Sequence, residues 1–290
     1  MKLKSDLANL LRGGLIGVAE VIPGVSGGTV ALVVGVYERI IRSGSSLVLA
    51  LGSLIRLRLE ESRQHAKAIE WRFLTTLLFG MVLALVGVAA LIEPLLESQP
   101  VLTRALFAGL IFASIYVPYK LAGKFSVADY LLAALAAGVA FGLTSLPRLA
   151  EISPAPWQIV LGAALAVCAL VLPGVSGSFL LLTLGLYAPT LAAVNDRNLG
   201  YLGLFVLGAI FGLGSFVLLL RYLLERKKHL TMVVMTGLMA GSLRALWPWQ
   251  DEVGSITTAS NIFITGLVFF VGVILVAGLI AAQARIDSKD

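Results

Sequence analysis

Charge is scarce in this sequence. Only 13% of its 290 residues are Asp, Glu, Lys or Arg while 59% are hydrophobic, too little polar material to coat a soluble globule of this size. A soluble dinucleotide-binding enzyme is excluded on that ground, and so is a nucleic-acid binder, so no nucleic-acid partner is expected. Cysteine is almost absent as well. The single Cys168 permits no intrachain disulfide, which removes the secreted disulfide scaffold. Histidine occurs only at His65 and His229, in polar segments far apart. Neither an intramembrane zinc site nor a His-dependent lipid phosphatase has a constellation to work with, and no metal, cofactor or catalytic activity is expected. The start of the chain carries Lys2 and Lys4 but no small-residue cleavage site after a clean apolar core, so no removable signal peptide is read there.

Apolar sequence is what abounds. The mean hydropathy is +0.97, and the expected class is an all-α polytopic membrane protein. Six stretches approach the roughly 20 apolar residues that a crossing helix needs: 73–96, 102–121, 127–147, 201–224, 230–248 and 261–283. Two others, 8–42 and 157–192, are interrupted in the middle, at Pro23-Gly24-Val25-Ser26-Gly27-Gly28 and at Pro173-Gly174-Val175-Ser176-Gly177-Ser178. Each arm beside the break is short of the roughly 30 Å hydrocarbon thickness at 1.5 Å rise per residue. Such arms suit re-entrant hairpins.

The two broken segments are one motif used twice. A shift of 150 residues superposes Pro23 to Gly27 on Pro173 to Gly177, Gly35 on Gly185 and Tyr37 on Tyr187. Further along, a shift of 128 superposes Gly80, Glu97, Leu102, Thr103, Gly109, Leu110 and Ser114 on Gly208, Glu225, Leu230, Thr231, Gly237, Leu238 and Ser242. The change of offset marks 22 extra residues in the first half, within a polar stretch at 43–72 expected to be cytoplasmic. The chain therefore reads as two repeats, 1–149 and 150–290, each a re-entrant helical hairpin followed by three spans.

An odd number of crossings obliges the second repeat to sit upside down relative to the first. Loop charge is an independent test of that topology. With both termini cytoplasmic, only Arg104, Arg148, Arg197 and Arg244 fall outside, leaving eighteen of the 22 Lys and Arg inside, as the positive-inside rule requires. The expected architecture is thus an inverted repeat in the plasma membrane, the plan of many transporters.

A Pro-Gly break inside a bilayer frees backbone amides that must find protein, water or ligand. Ser26 and Ser176 suit the N-cap of each outgoing arm, and the glycines beside them permit close approach of a ligand. Two opposed tips of this kind would hold an anion; tight packing of hairpin on hairpin is the alternative use of the same small residues. Glu20 is unmatched in the repeat, its counterpart being Leu170. A carboxyl at that depth suits proton coupling or gating, or else a hydrogen-bond role to tip amides or an arginine. Thr29, opposite Phe179, adds a hydroxyl to the first tip. Arg104 and Arg244 lie at the outer ends of spans and suit either a phosphate at the external mouth or interface snorkelling. The pairs Gly138/Gly142, Gly208/Gly212 and Gly237/Gly241 read as close helix crossings. Trp71, Trp157, Trp247 and Trp249 read as interface anchors.

The segment Glu20-Val21-Ile22-Pro23-Gly24-Val25-Ser26-Gly27-Gly28-Thr29, with Leu172 to Gly177 as its echo, resembles the bacterial and archaeal polyprenyl-phosphate transporter family over nearly the whole chain. The resemblance implies a flippase that returns undecaprenyl phosphate, the carrier lipid of cell-envelope synthesis, from the outer to the inner leaflet. The positions carried over are Glu20, Ser26, Gly27, Gly28 and Thr29 in the first hairpin and Ser176 and Gly177 in the second. Ser178 and Phe179 stand where the first copy has Gly28 and Thr29. The expected phosphate site is accordingly Ser26, Gly27, Gly28, Thr29, Ser176, Gly177 and Ser178, with Arg104 and Arg244 added from the residues alone. The lipid itself, the bilayer and a coupling H+ or Na+ at Glu20 are the expected partners. A channel or exchanger for a small inorganic anion stands as the alternative, and an envelope-enzyme scaffold as a third reading.

Overall fold

The computed structural model describes residues 2–21, 26–146, 154–251 and 254–287. Pro23, Gly24, Val25 and Arg148, singled out above, lie outside them. The described residues are all helical apart from turns and one isolated β-bridge, Gln250 with Ile256. The first half contains α1 (Lys2–Val21), α2 (Gly27–Val33), α3 (Tyr37–Ile55), α4 (Leu59–Lys67), α5 (Trp71–Ser98), α6 (Pro100–Ser114), α7 (Tyr116–Ala122) and α8 (Val127–Ser145). The second contains α9 (Pro156–Val171), α10 (Gly177–Thr183), α11 (Tyr187–Asn195), α12 (Leu199–Arg226), α13 (Lys228–Ser242), a 3-10 turn (Leu243–Leu246) and α14 (Ile262–Asp287). Among the described residues, five helical stretches are long and apolar enough to cross a membrane, or up to seven if each of two bent pairs counts as one span. The outside matches that reading, since Leu207, Ile210 and Phe211 on α12 and Phe263, Phe270 and Ile274 on α14 are exposed. Apolar residues on that scale belong against lipid. This is a multi-pass membrane protein.

Each broken segment differs from a simple two-armed hairpin. The outgoing arm is itself in two pieces, α2 then α3 and α10 then α11, and the latter pair is bent by 106°. The cause lies in Gly35 and Gly185, with φ of +73° and +69°. Each ends its helix in a Schellman motif, Gly35 N–H donating to Leu32 and Val36 N–H to Ala31, with the same bonds from Gly185 to Leu182 and Leu186 to Leu181. A left-handed residue at that position costs a glycine little and ends the helix. The polar stretch at 43–72 is likewise more ordered than a loop. Its serines Ser43, Ser45 and Ser46 are buried on α3, and α4 folds back along α3, with the Ser62 hydroxyl donating to the Ala50 carbonyl.

Two helix pairs pack in the same way. α1 lies on α5 and α9 on α12. A Cβ on Gly80 would stand 2.1 Å from the Leu10 carbonyl oxygen, and one on Gly208 would stand 2.2 Å from that of Val160, so these contacts exist only because the residues are glycine. Leu10 and Val160 are themselves related by the 150-residue shift. The last helix of each half then crosses to the other, α14 packing on α6 and α8 on α13. Gly237 and Gly241 make that second crossing against Ala133 and Ala137, whereas Gly138 and Gly142 meet nothing within 4 Å. The expected close crossing therefore fails at Gly138/Gly142, which belong to the face of α8 turned away from its neighbour. Tyr37, Leu77, Leu220, Met232, Met235 and Met239 fill the interior where both halves converge.

Candidate functional site

The two hairpins meet at their tips. The Ser26 hydroxyl donates to the Leu172 carbonyl at 3.0 Å, the Gly174 N–H donates to the Thr29 hydroxyl at 2.9 Å, and the Tyr37 hydroxyl donates to the Val171 carbonyl at 3.0 Å. Ser26, Thr29 and Tyr37 are each at most 2% exposed. The first-half side chains thus satisfy backbone groups that the Pro173-Gly174 turn sets free, as a break within an apolar run requires. Gly174 takes φ +85°, and a Cβ there would lie 2.7 Å from Met239 Cα, so the second tip is wedged against α13. Gly28 is similarly tight, its Cβ position 2.7 Å from the Val171 oxygen.

The tips differ in what caps them. The Glu20 carboxylate accepts from the Gly27 N–H at 3.1 Å, bridging the incoming and outgoing arms of the first hairpin. In the second, the Ser176 hydroxyl accepts from the Phe179 N–H at 3.4 Å and shares a 3.0 Å bond with the Ser178 hydroxyl. Ser178 is exposed and Ser176 buried. Helix geometry leaves the first amides of α10 without an i−4 carbonyl. A cavity of about 40 Å³ begins at Gly174, Val175 and Ser176 and runs between α8 and α13 to Ser242 and Ala245.

Arg104 and Arg244 are brought together by a residue that no sequence signal pointed to. The Arg104 guanidinium donates to the Gln250 backbone carbonyl at 2.6 Å, and that of Arg244 to the Gln250 side-chain oxygen at 3.2 Å and the Gly254 carbonyl at 2.7 Å. The Gln250 amide in turn donates to the Ala245 carbonyl at the mouth of that cavity. The described part of the segment between the 3-10 turn and α14 folds on itself, Trp249 donating to the Ser260 carbonyl and packing edge-on against Trp247. It forms a cap held by both arginines.

Charged pairs cluster at the other end of α13. Glu38 on α3 pairs with Arg42 and with Lys228, and Arg221 on α12 pairs with Glu225 while donating to the Ser45 hydroxyl at 3.2 Å. Nearby, Arg39 pairs with Glu70 and lies over the Phe73 ring. Tyr37, Gln250 and Arg221 are the contact residues that pattern reading missed. Only Tyr37 carried a signal, its match to Tyr187. Among the described residues there is no cluster of His, Cys, Asp and Glu able to hold a metal.

A family model described as undecaprenyl phosphate translocase-like matches residues 16–264. A polyprenyl-phosphate transporter of Vibrio cholerae is 35% identical over 251 residues, covering 86% of this chain and 80% of the relative. A polyprenyl-phosphate transporter of Staphylococcus aureus is 29% identical over 296 residues, covering 95% of this chain and 97% of the relative. No solved structure matches the chain.

Proposed function

The chain belongs to the undecaprenyl phosphate translocase-like family, and from that premise we propose that it carries a polyprenyl phosphate from the outer to the inner leaflet of the plasma membrane. In this reading the repeats are inverted, the hairpins enter from opposite faces, and both termini and the Arg226-Lys227-Lys228 run are cytoplasmic. The observation that carries the reading is the direct hydrogen bonding of tip to tip, Ser26 to Leu172 and Gly174 to Thr29. It supports a closed resting state in which the tips satisfy one another.

A phosphate arriving from outside meets Arg104 and Arg244 first, in place of the Gln250 and Gly254 carbonyls. Carbonyls are weaker partners for guanidinium than a phosphate is. It then reaches Ser176, Gly177 and Ser178 along the cavity under Ala245, and separation of the halves turns the Ser26, Gly27, Gly28 and Thr29 donors toward it. The prenyl chain stays in the lipid throughout. Glu20 is the coupling group in this scheme: a proton or Na+ on its carboxylate weakens its hold on the Gly27 amide and frees that donor for phosphate.

Purified protein in liposomes containing a fluorescent prenyl phosphate tests the reading. The wild type is expected to equalise the label between leaflets, and Ser26→Leu and Ser176→Leu to abolish this while the protein still folds. Unchanged flipping by both variants would discard the tip site. Flux of inorganic phosphate that is indifferent to added prenyl phosphate would replace the lipid with a small anion.

A further inference from the structure

A cleft of about 360 Å³ opens between α3, α4 and α12, near the Arg226-Lys227-Lys228 run. Its polar lining is Ser46, His65, Arg221 and Arg226, with Glu225 the one carboxylate among the described lining residues, and Leu49, Leu218 and Tyr222 stand between them on the same helices. Beside it Leu219 and Tyr222 are 51% and 56% exposed, on the surface of α12 that faces lipid in the reading above. Arg221 joins the cleft to a smaller cavity lined by Glu38, Ile41, Arg42 and Leu224. Its guanidinium reaches inward to Ser45, whose side chain is fully buried.

We propose that this cleft is a second phosphate site, which receives the head of a phosphomonoester amphiphile in the leaflet beside the Arg226-Lys227-Lys228 run. The mixed chemistry of its lining selects that class. Two arginines and a histidine against one glutamate favour an anion, and a guanidinium that can exchange a single carboxylate for phosphate oxygens is a good receptor for it. The apolar lining residues Leu49, Leu218 and Tyr222, continuous with exposed Leu219, favour an anion carrying a hydrocarbon chain over a free one.

The site belongs to one end of the molecule only. At the 128-residue shift the counterpart of Arg221 is Glu93, whereas Glu225 keeps its acid in Glu97. The α4 wall comes from the insertion present in the first half alone. An anion site at one end of a two-fold repeat gives a head that leaves the tips a place to rest at the inner end, one whose arginine the other copy of the sequence lacks. The inference rests on the proposed lipid phosphate reading for its choice of ligand.

A photoreactive farnesyl phosphate, added to wild-type protein in nanodiscs, tests it by mass mapping of the labelled peptide. The expected result is labelling around Leu218 to Tyr222 that excess farnesyl phosphate suppresses and farnesol does not, and that Arg221→Gln lowers about tenfold, the effect of losing one charge-assisted hydrogen bond. Arg221→Lys should restore part of it, and Ser176→Leu should leave it unchanged. Equal suppression by farnesol, or full labelling of Arg221→Gln, overturns the site. Suppression by inorganic phosphate at the same concentration as farnesyl phosphate keeps the phosphate site but overturns the lipid as its occupant. Leaflet exchange is read separately: labelling without exchange by wild type leaves the cleft and removes the transport reading, and exchange without labelling does the reverse.

Discussion

The two hairpins share the sequence Pro-Gly-Val-Ser-Gly and divide its chemistry between them. The second supplies backbone, since Val171, Leu172 and Gly174 offer two carbonyls and an amide at a Pro-Gly break. The first supplies side chains, Tyr37, Ser26 and Thr29, that satisfy all three. Duplication alone would have produced two tips with the same needs. Ser26 and Tyr37 have counterparts in Ser176 and Tyr187, so divergence supplies only the Thr29 bond, Phe179 standing at its counterpart, and the Glu20 carboxylate that the first hairpin alone holds on its own amide.

The glycines at the two helix starts give the widest separation between the hairpins. A Cβ on Gly177 would meet the Ala166 backbone oxygen at 2.4 Å, whereas one on Gly27 would meet the far end of the Glu20 side chain at 2.1 Å. Backbone cannot yield and a side chain can. Gly177→Ala should therefore cost about 3 kcal/mol or more, in the overpacking range, and lower the melting temperature in detergent well below that of Gly27→Ala. Gly27→Ala should fold but lose lipid exchange through displacement of Glu20. Equal melting temperatures for the two would break the contrast.

Thr29→Val removes the acceptor for the Gly174 amide while keeping the volume. A buried donor left unmatched costs about 1–2 kcal/mol, to be read as reduced melting temperature and faster hydrogen exchange at Gly174. Phe179→Thr, the corresponding change in the other hairpin, should have no stabilising effect of that size.

The smallest effect concerns the segments after the tips. Arg39 follows Tyr37 in the first half, where the second has Pro189. The hydrogen bonds of its guanidinium hold the Glu70 carboxyl below its usual pKa of 4.5. Because the folded value is the lower one, this pair stabilises the protein above about pH 4.5 and the contribution fades as pH falls through the folded pKa. Both partners are more than one-third exposed, so solvent screening keeps the effect under about 1 kcal/mol. Melting curves of wild type and Glu70→Gln at pH 7 and pH 4 should converge at the lower pH.

Much of this was legible in advance. Long apolar runs with few charges can only be membrane helices, and the 150-residue and 128-residue offsets pointed to the break at Pro173-Gly174 and to the Gly80 and Gly208 contacts. The second break in each hairpin was also written there, in the matched Gly35 and Gly185, but a glycine inside an apolar run signals a helix end only once its φ is known. Buried serines on α3 looked like loop composition because polar residues in a membrane protein are read as solvent-facing until a neighbour such as Arg221 is seen.

Sequence by itself determined the class and which residue types stand at each tip, because hydropathy, glycine and proline act through the local backbone. Tertiary structure alone decided which tip group serves which, that Gln250 gathers Arg104 and Arg244, and that α8 and α14 exchange between halves. Those include contacts between residues 146 apart, Ser26 with Leu172 and Arg104 with Gln250. A hydrogen bond across such a distance depends on how helices pack, and packing is set by shape across the whole molecule rather than by any local pattern.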